Sequence, residues 1–265
     1  MSSLPLKQLA KASKLLLNLA LCTILASCSM TSTESSNAKT DHHWTEAYAN
    51  SPAAYSLPAD VPPVMLTFVK PKEVAGTLRS SFVISASGSM IRIRLSNEAG
   101  TKPLVIKGVS VALAKPASME PSDTPTAVTF GDKTEFTIPP GSPLLSDPIP
   151  LVTQALSRLV VSVFTPSGFS AVPLGGEGMM LAPGDQTQQA VMTEAQTLVA
   201  RSPVSGISVA SSKALPVVVT LGDSITDGAR VKPEQLAGYP ATLMNRLAML
   251  PSDDQRALVN VGTNR

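Results

Sequence analysis

The chain has 265 residues, 43% of them apolar and 15% charged, with 23 prolines. That composition supports a packed core of one or two domains and excludes both wholesale disorder and a long helical bundle. The formal net charge is +2, but setting aside residues 1–27, with Lys7, Lys11 and Lys14, leaves 18 basic against 19 acidic residues, a near-neutral chain with no field to gather nucleic acid.

The chain opens as an address. "MSSLPLKQLAKASK" is a positively charged leader, and "LLLNLALCTILA" is an apolar run of twelve residues, the length of a signal-peptide core and too short to span a bilayer. The run ends in "LASC", Leu25 to Cys28, which resembles the lipobox of bacterial lipoproteins. The resemblance implies cleavage before Cys28, several acyl chains on its thiol, and export to an outer membrane or cell surface, with Ser29 compatible with passage to an outer membrane. An ordinary cleaved secretory leader, with Cys28 incidental, is the alternative. Cys22 lies inside the leader, so Cys28 is the remaining cysteine and no intrachain disulfide is expected in the mature chain.

Residues 28–43 read as a flexible polar tether. His42 and His43 close it and are the two histidines of the chain. A neighbouring pair can bind a metal, but no carboxylate or cysteine stands at ligand spacing. They read as a solvated entry to the first domain.

From 44 to 210 the pattern is strand after strand. "SFVISA", "MIRIRLS", "PLVIKGVSVALA", "TAVTF", "TEFTIP", "RLVVSVFTP" and "GISVA" are rich in β-formers and are separated by turn chemistry such as "NEAG" and "PPGSP". In "MIRIRL", Ile91, Ile93 and Leu95 face one way and Arg92 and Arg94 the other, as in a sheet with one wet face. The two arginines are open to an anionic ligand or simply to solvent. "GGEGMM", Gly175 to Met180, is glycine-rich but does not lead a strand into a helix, so it reads as a loop. The expected architecture is a β-sandwich or jelly-roll-like domain.

After a polar break the character changes over 211–265. "PVVVTL" is a continuous apolar run that suits a parallel strand buried on both faces. "GYPATLMNRLAML" has apolar residues at helical spacing, with Pro240 placed for the first turn, and "ALVNVG" is a second strand. Strand, helix, strand implies a crossover between parallel neighbours. Ligands gather beyond the carboxyl ends of such strands, and "GDSITDG" lies there, presenting Ser224. The triplet Gly-Asp-Ser alone is compatible with a plain turn or with a nucleophile.

"LGDSITDG" resembles the first motif block of the SGNH, or GDSL-type, hydrolases. "HWTEAYANSP", "TLRSSFVISASGSMIRIRLSNEAGTKPLVIKGVSVALA", "FTIPPGSPLLSDPI" and "LAPGD" follow the order of the β-rich domain that precedes the catalytic domain in one bacterial branch of that family. The resemblance runs from about Trp44 to the C-terminus. It implies that residues 211–265 begin a flavodoxin-like α/β domain and that the activity is hydrolysis of a small-molecule or polysaccharide ester. Ser224 would attack the carbonyl, form an acyl-enzyme and offer its N–H to the oxyanion. Asp223 would shape the turn, and Gly262 would offer a second oxyanion N–H. No cofactor or metal is implied. The second block, usually like "NxGISGNR", here reads "VNVGTNR", two residues short. The later blocks that carry an oxyanion asparagine and an Asp-x-x-His do not occur before Arg265. The expectation is therefore a C-terminally truncated, inactive hydrolase. The alternative is a non-catalytic surface lipoprotein whose β-domain binds glycan or a protein partner.

Overall fold

A computed structural model of the chain describes residues 42–52, 62–63, 72–173, 177–228 and 238–262. The leader, Cys28, most of the tether, Gly175 and the last three residues of "VNVGTNR" lie outside the described residues. Among the described residues thirteen strands run up to Ser211: β1 (His43–Ala49), β2 (Lys72–Val83), β3 (Gly88–Ser96), β4 (Leu104–Ile106), β5 (Gly108–Leu113), β6 (Thr126–Ala127), β7 (Phe136–Ile138), β8 (Pro143–Leu145), β9 (Ile149–Thr153), β10 (Arg158–Ala171), β11 (Glu177–Ala182), β12 (Gln196–Ala200) and β13 (Val204–Ser211). They form one sheet in the order β1-β13-β3-β8, with β9 also on β3, and a second in the order β12-β11-β2-β10-β5-β6. Both sheets are antiparallel, and β4 pairs with β7 in a separate ribbon.

The two sheets share one core. Ile91, Ile93 and Leu95 of β3 and Ile207 and Val209 of β13 meet Phe82 of β2, Val111 of β5, and Leu159 and Val161 of β10. The period-two alternation of β3 places Arg92 and Arg94 on the other, partly exposed face. There Arg92 stacks over the Trp44 ring at 4.6 Å. Arg94 pairs with Glu98 at 2.9 Å and donates to Ser205 Oγ at 2.7 Å. Both arginines are thus engaged within the fold.

Arg79, on β2, is the largest fully buried polar side chain among the described residues, at 1% exposure. Its Nε donates to Ser162 Oγ at 2.8 Å, and its two Nη atoms donate to the carbonyls of Gln186, Gln189 and Ala190. Burial pushes the guanidinium pKa below its ordinary value. The arginine straps the segment after β11 onto the sheet.

Several segments depart from expectation. The "GGEGMM" stretch is not a loop throughout: Glu177 to Met180 open β11, which pairs β2 with β12 and buries Met179. The glycines masked a strand whose apolar residues fill the sheet. "PLVIKGVSVALA" breaks at Lys107 into β4 and β5, and the Lys107 N–H donates to Phe164 O at 3.0 Å. "SFVISA" leaves the ladder after Val83, because Ile84 turns into the core and its N–H donates to Ser157 O. "RLVVSVFTP" continues to Ala171 through a bulge between Thr165 and Phe169, where Gly168 takes φ 100°. His43, assigned to the tether, already belongs to β1.

Beyond Ser211 come β14 (Val217–Thr220), α1 (Ser224–Asp227), α2 (Tyr239–Ala248) and β15 (Ala257–Asn260). β14 and β15 pair in parallel, with Val217 opposite Ala257 and Thr220 opposite Asn260. Pro240 sits in the first turn of α2, and Met244 is its most inward apolar residue. β15 lies alongside β1. Ala257 joins the core of the sheets, the Leu258 N–H donates to Ser85 Oγ at 2.9 Å, and the Leu215 N–H to Thr45 Oγ1 at 3.5 Å. Residues 41–265 accordingly form one compact unit. β14 is not buried on both faces: Val217 and Val219 are 39% and 58% exposed. Among the described residues β15 is its only ladder partner, and no described element covers the face carrying those two valines.

Candidate active site

The turn after β14 is shaped residue by residue. A Cβ on Gly222 would lie 2.2 Å from Thr226 Oγ1, so the chain passes there only without a side chain. Asp223 is the N-cap of α1, its Oδ1 accepting from the Ile225 N–H at 3.0 Å. Ser224 is the first residue of the turn. The Asp227 N–H donates to Asp223 O at 2.9 Å and the Gly228 N–H to Ser224 O at 3.2 Å. Gly228, at φ 91°, ends the helix after one turn. Leu221 and Ile225, on either side of the serine, are both exposed.

A single turn has little stability of its own, and this one is held by its neighbours. Thr226 is buried, and its Oγ1 shares a hydrogen bond with the Tyr239 hydroxyl at 2.9 Å. The Thr226 carbonyl accepts from Asn260 Nδ2 at 2.7 Å. Asn260 Oδ1 accepts in turn from Thr220 Oγ1 at 3.0 Å and the Gly262 N–H at 3.1 Å. Asn260, at the end of β15, thereby ties both strand ends to the turn. From the β-rich part of the chain, Arg201 Nη2 donates to both carboxylate oxygens of Asp227 at 3.3 Å.

The sequence-derived site residues fall as follows. Ser224 lies just past the carboxyl end of β14, and Asp223 shapes its turn through the cap. Gly262 comes to the same place, with its backbone packed on Thr226 and Asp227. Its N–H, however, is donated to Asn260 Oδ1, so it meets an oxyanion only when that side chain turns away. His42 and His43 are exposed at the far end of the unit. Thr45, two residues on from His43, touches Leu215, at the entry to β14, whereas Ser224 follows its exit. The other end of β1 leads into Asn50, whose side chain accepts from Arg201. Seven residues of strand, about 23 Å, separate His43 from that contact. Neither histidine stands beside Ser224.

Asn260, Tyr239, Thr226 and Arg201 were not singled out from sequence. Asn260 left a trace, as a polar residue in the apolar run "ALVNVG". Arg201 left none, since one arginine in a polar link carries no local pattern. Arg201 also lines a cleft of about 390 Å³ at the end of the sheets, together with Asn50, Lys102, Phe169, Ser202 and Ser205. No protein-family model matches the chain, and no curated protein matches it.

Proposed function

We propose that the chain carries the nucleophile-bearing part of an ester hydrolase of the SGNH type, exported and held to a membrane through acylated Cys28. On this reading residues 211–265 are the opening strand-helix-strand of a flavodoxin-like sheet. Ser224 Oγ attacks the ester carbonyl, its proton passes to a base, the alcohol leaves and water releases the acyl group. The observation that carries the reading is the placement of Ser224 in a one-turn helix immediately beyond the carboxyl end of a parallel strand, with the turn anchored on three sides. Such preorganisation is what a nucleophile requires, and a plain surface turn has no need of it.

The two histidines are remote, so the base is not a histidine of these 265 residues. Removal of the base in serine hydrolases lowers kcat by roughly 10⁶, and the expected activity of the chain alone is correspondingly near background. The test is fluorophosphonate labelling and hydrolysis of an activated acetyl ester by the full chain, with and without added imidazole as a diffusible base, against Ser224→Ala. Labelling and turnover that need Ser224 and rise with imidazole support the reading. An identical response from Ser224→Ala overturns it.

The second reading is a non-catalytic surface protein whose β-rich part binds glycan. The cleft beside Arg201 favours it, with amide and hydroxyl groups from Asn50, Ser202 and Ser205 and the ring of Phe169 in its lining. Saturable binding of oligosaccharides that is lost in Asn50→Ala and unchanged in Ser224→Ala would establish it.

A further inference from the structure

Arg201 occupies the link between β12 and β13, remote in sequence from the Ser224 turn. It is buried, and the carboxylate it meets is half-buried: the side chains of Arg201 and Asp227 are 8% and 13% exposed. Nη2 reaches both Asp227 oxygens, while Nη1 donates to Asn50 Oδ1 and to Ser51 O at 3.3 Å. The Arg201 N–H is itself fixed, donating to Val172 O at 3.0 Å. The remaining guanidinium donor, Nε, is buried with no partner among the described residues. An arginine buried at that expense is a poor device for stability alone, since apolar replacements of buried ion pairs are often neutral or stabilising. It is a good device for fixing geometry, because a planar guanidinium accepts few arrangements of its partners.

What it fixes is the turn. Asp227 closes α1 through its N–H to Asp223 O, and it lies one helical turn from Ser224. The Thr226 contacts to Tyr239 and Asn260 hold α1 from the strand-helix-strand side. Arg201 holds it from the side of the sheets. Removing Arg201 takes away the hold from that side, and any shift of α1 carries Ser224 Oγ with it. We propose that Arg201 is a positioning residue, by which the β-rich part of the chain sets the orientation of the nucleophile turn through Asp227. Its relevance to catalysis rests on the hydrolase reading, whereas its hold on the turn does not.

The experiment uses the full chain and the variants Arg201→Ala, Arg201→Lys, Asp227→Asn and Arg201→Ala with Asp227→Asn. Two readouts are taken: the fluorophosphonate labelling rate of Ser224 against probe concentration, under the imidazole conditions above, and amide hydrogen exchange. A 1 Å misplacement lowers rates by roughly a hundredfold. In Arg201→Ala the maximal labelling rate is therefore expected to fall by roughly tenfold to a hundredfold, with the half-saturating probe concentration unchanged. Arg201→Lys should recover part of the loss, and the double variant should be no slower than Arg201→Ala alone. Exchange at Asp227 and Gly228 should quicken at least about tenfold, with the amides of β2 and β10 unaffected. Wild-type exchange at Asp227 and Gly228 in both Arg201→Ala and Asp227→Asn overturns the proposal. So does a turn that loosens with no change in labelling rate. Should Arg201→Ala fail to fold, Asp227→Asn, which preserves shape, reads the same contact. A wild-type chain that never labels defeats the hydrolase reading, and exchange then decides by itself whether Arg201 holds the turn.

Discussion

Gly262 and Asp227 meet backbone to backbone. A Cβ built on Gly262 would lie 2.3 Å from the Asp227 amide nitrogen and 2.7 Å from its Cα. Neither atom is the end of a flexible side chain, so nothing there yields cheaply. Gly262→Ala is expected to push β15 off the turn and destabilise the protein by about 3 kcal/mol. For a unit of this size that is a fall in Tm of about 6–12 °C, measurable by calorimetry. Gly184→Ala, at a glycine with open space around it but a positive φ, should cost about 1 kcal/mol and serves as the comparison.

Asn260 uses its amide in both senses, donating to Thr226 O and accepting from Thr220 Oγ1 and the Gly262 N–H. Asn260→Asp keeps the acceptor and replaces the donor with a second acceptor facing the Thr226 carbonyl. The expected loss is about 2 kcal/mol at neutral pH. It should shrink in acid, because a protonated carboxyl again donates. Urea midpoints of both proteins at pH 7 and in mild acid check this.

Arg79→Met removes the strap over residues 186–190 and leaves the Ser162 hydroxyl in an apolar setting. The expected destabilisation is about 3 kcal/mol, with faster proteolysis inside 183–195 and no change at the Ser224 turn.

Asp147 gives the pH dependence. The Thr129 hydroxyl first, then the amides of Asp132 and Gly131, hold its carboxyl below the usual carboxylate range. A group whose pKa is lower folded than unfolded stabilises the fold above its unfolded value, and the contribution is lost as pH falls through the folded value. The protein should therefore exceed Asp147→Asn in stability at neutral pH, and the gap should close in acid. Urea midpoints against pH check the sign.

The β-sheet character was legible because one residue in two along β3 must face the core, and Ile91, Ile93 and Leu95 say so without ambiguity. The parallel pairing of β14 with β15 was legible for a related reason, since a helix with Pro240 in its first turn separates two β-rich runs. β11 and β12 were hidden, since Gly178 and the polar residues around Gln196 carry little strand signal and find their place only by filling an edge of the second sheet. At the site, Ser224 and Asp223 could be singled out because they stand in one short contiguous motif, and Gly262 only through the resemblance of "VNVGTNR" to a second motif block. Arg201 could not, as its partner lies 26 residues away and the contact exists only once two regions of the chain are folded together.

Ala257 is walled in by the core of the antiparallel sheets, and its neighbour Leu258 is bonded to Ser85. The seam between the two regions of the chain therefore runs through shared interior and not along a surface. A fusion or exchange made at Ser211 would open that interior on both sides. Natural recombination of such genes is expected to keep the β-rich stretch and the Ser224 segment together as a single heritable block.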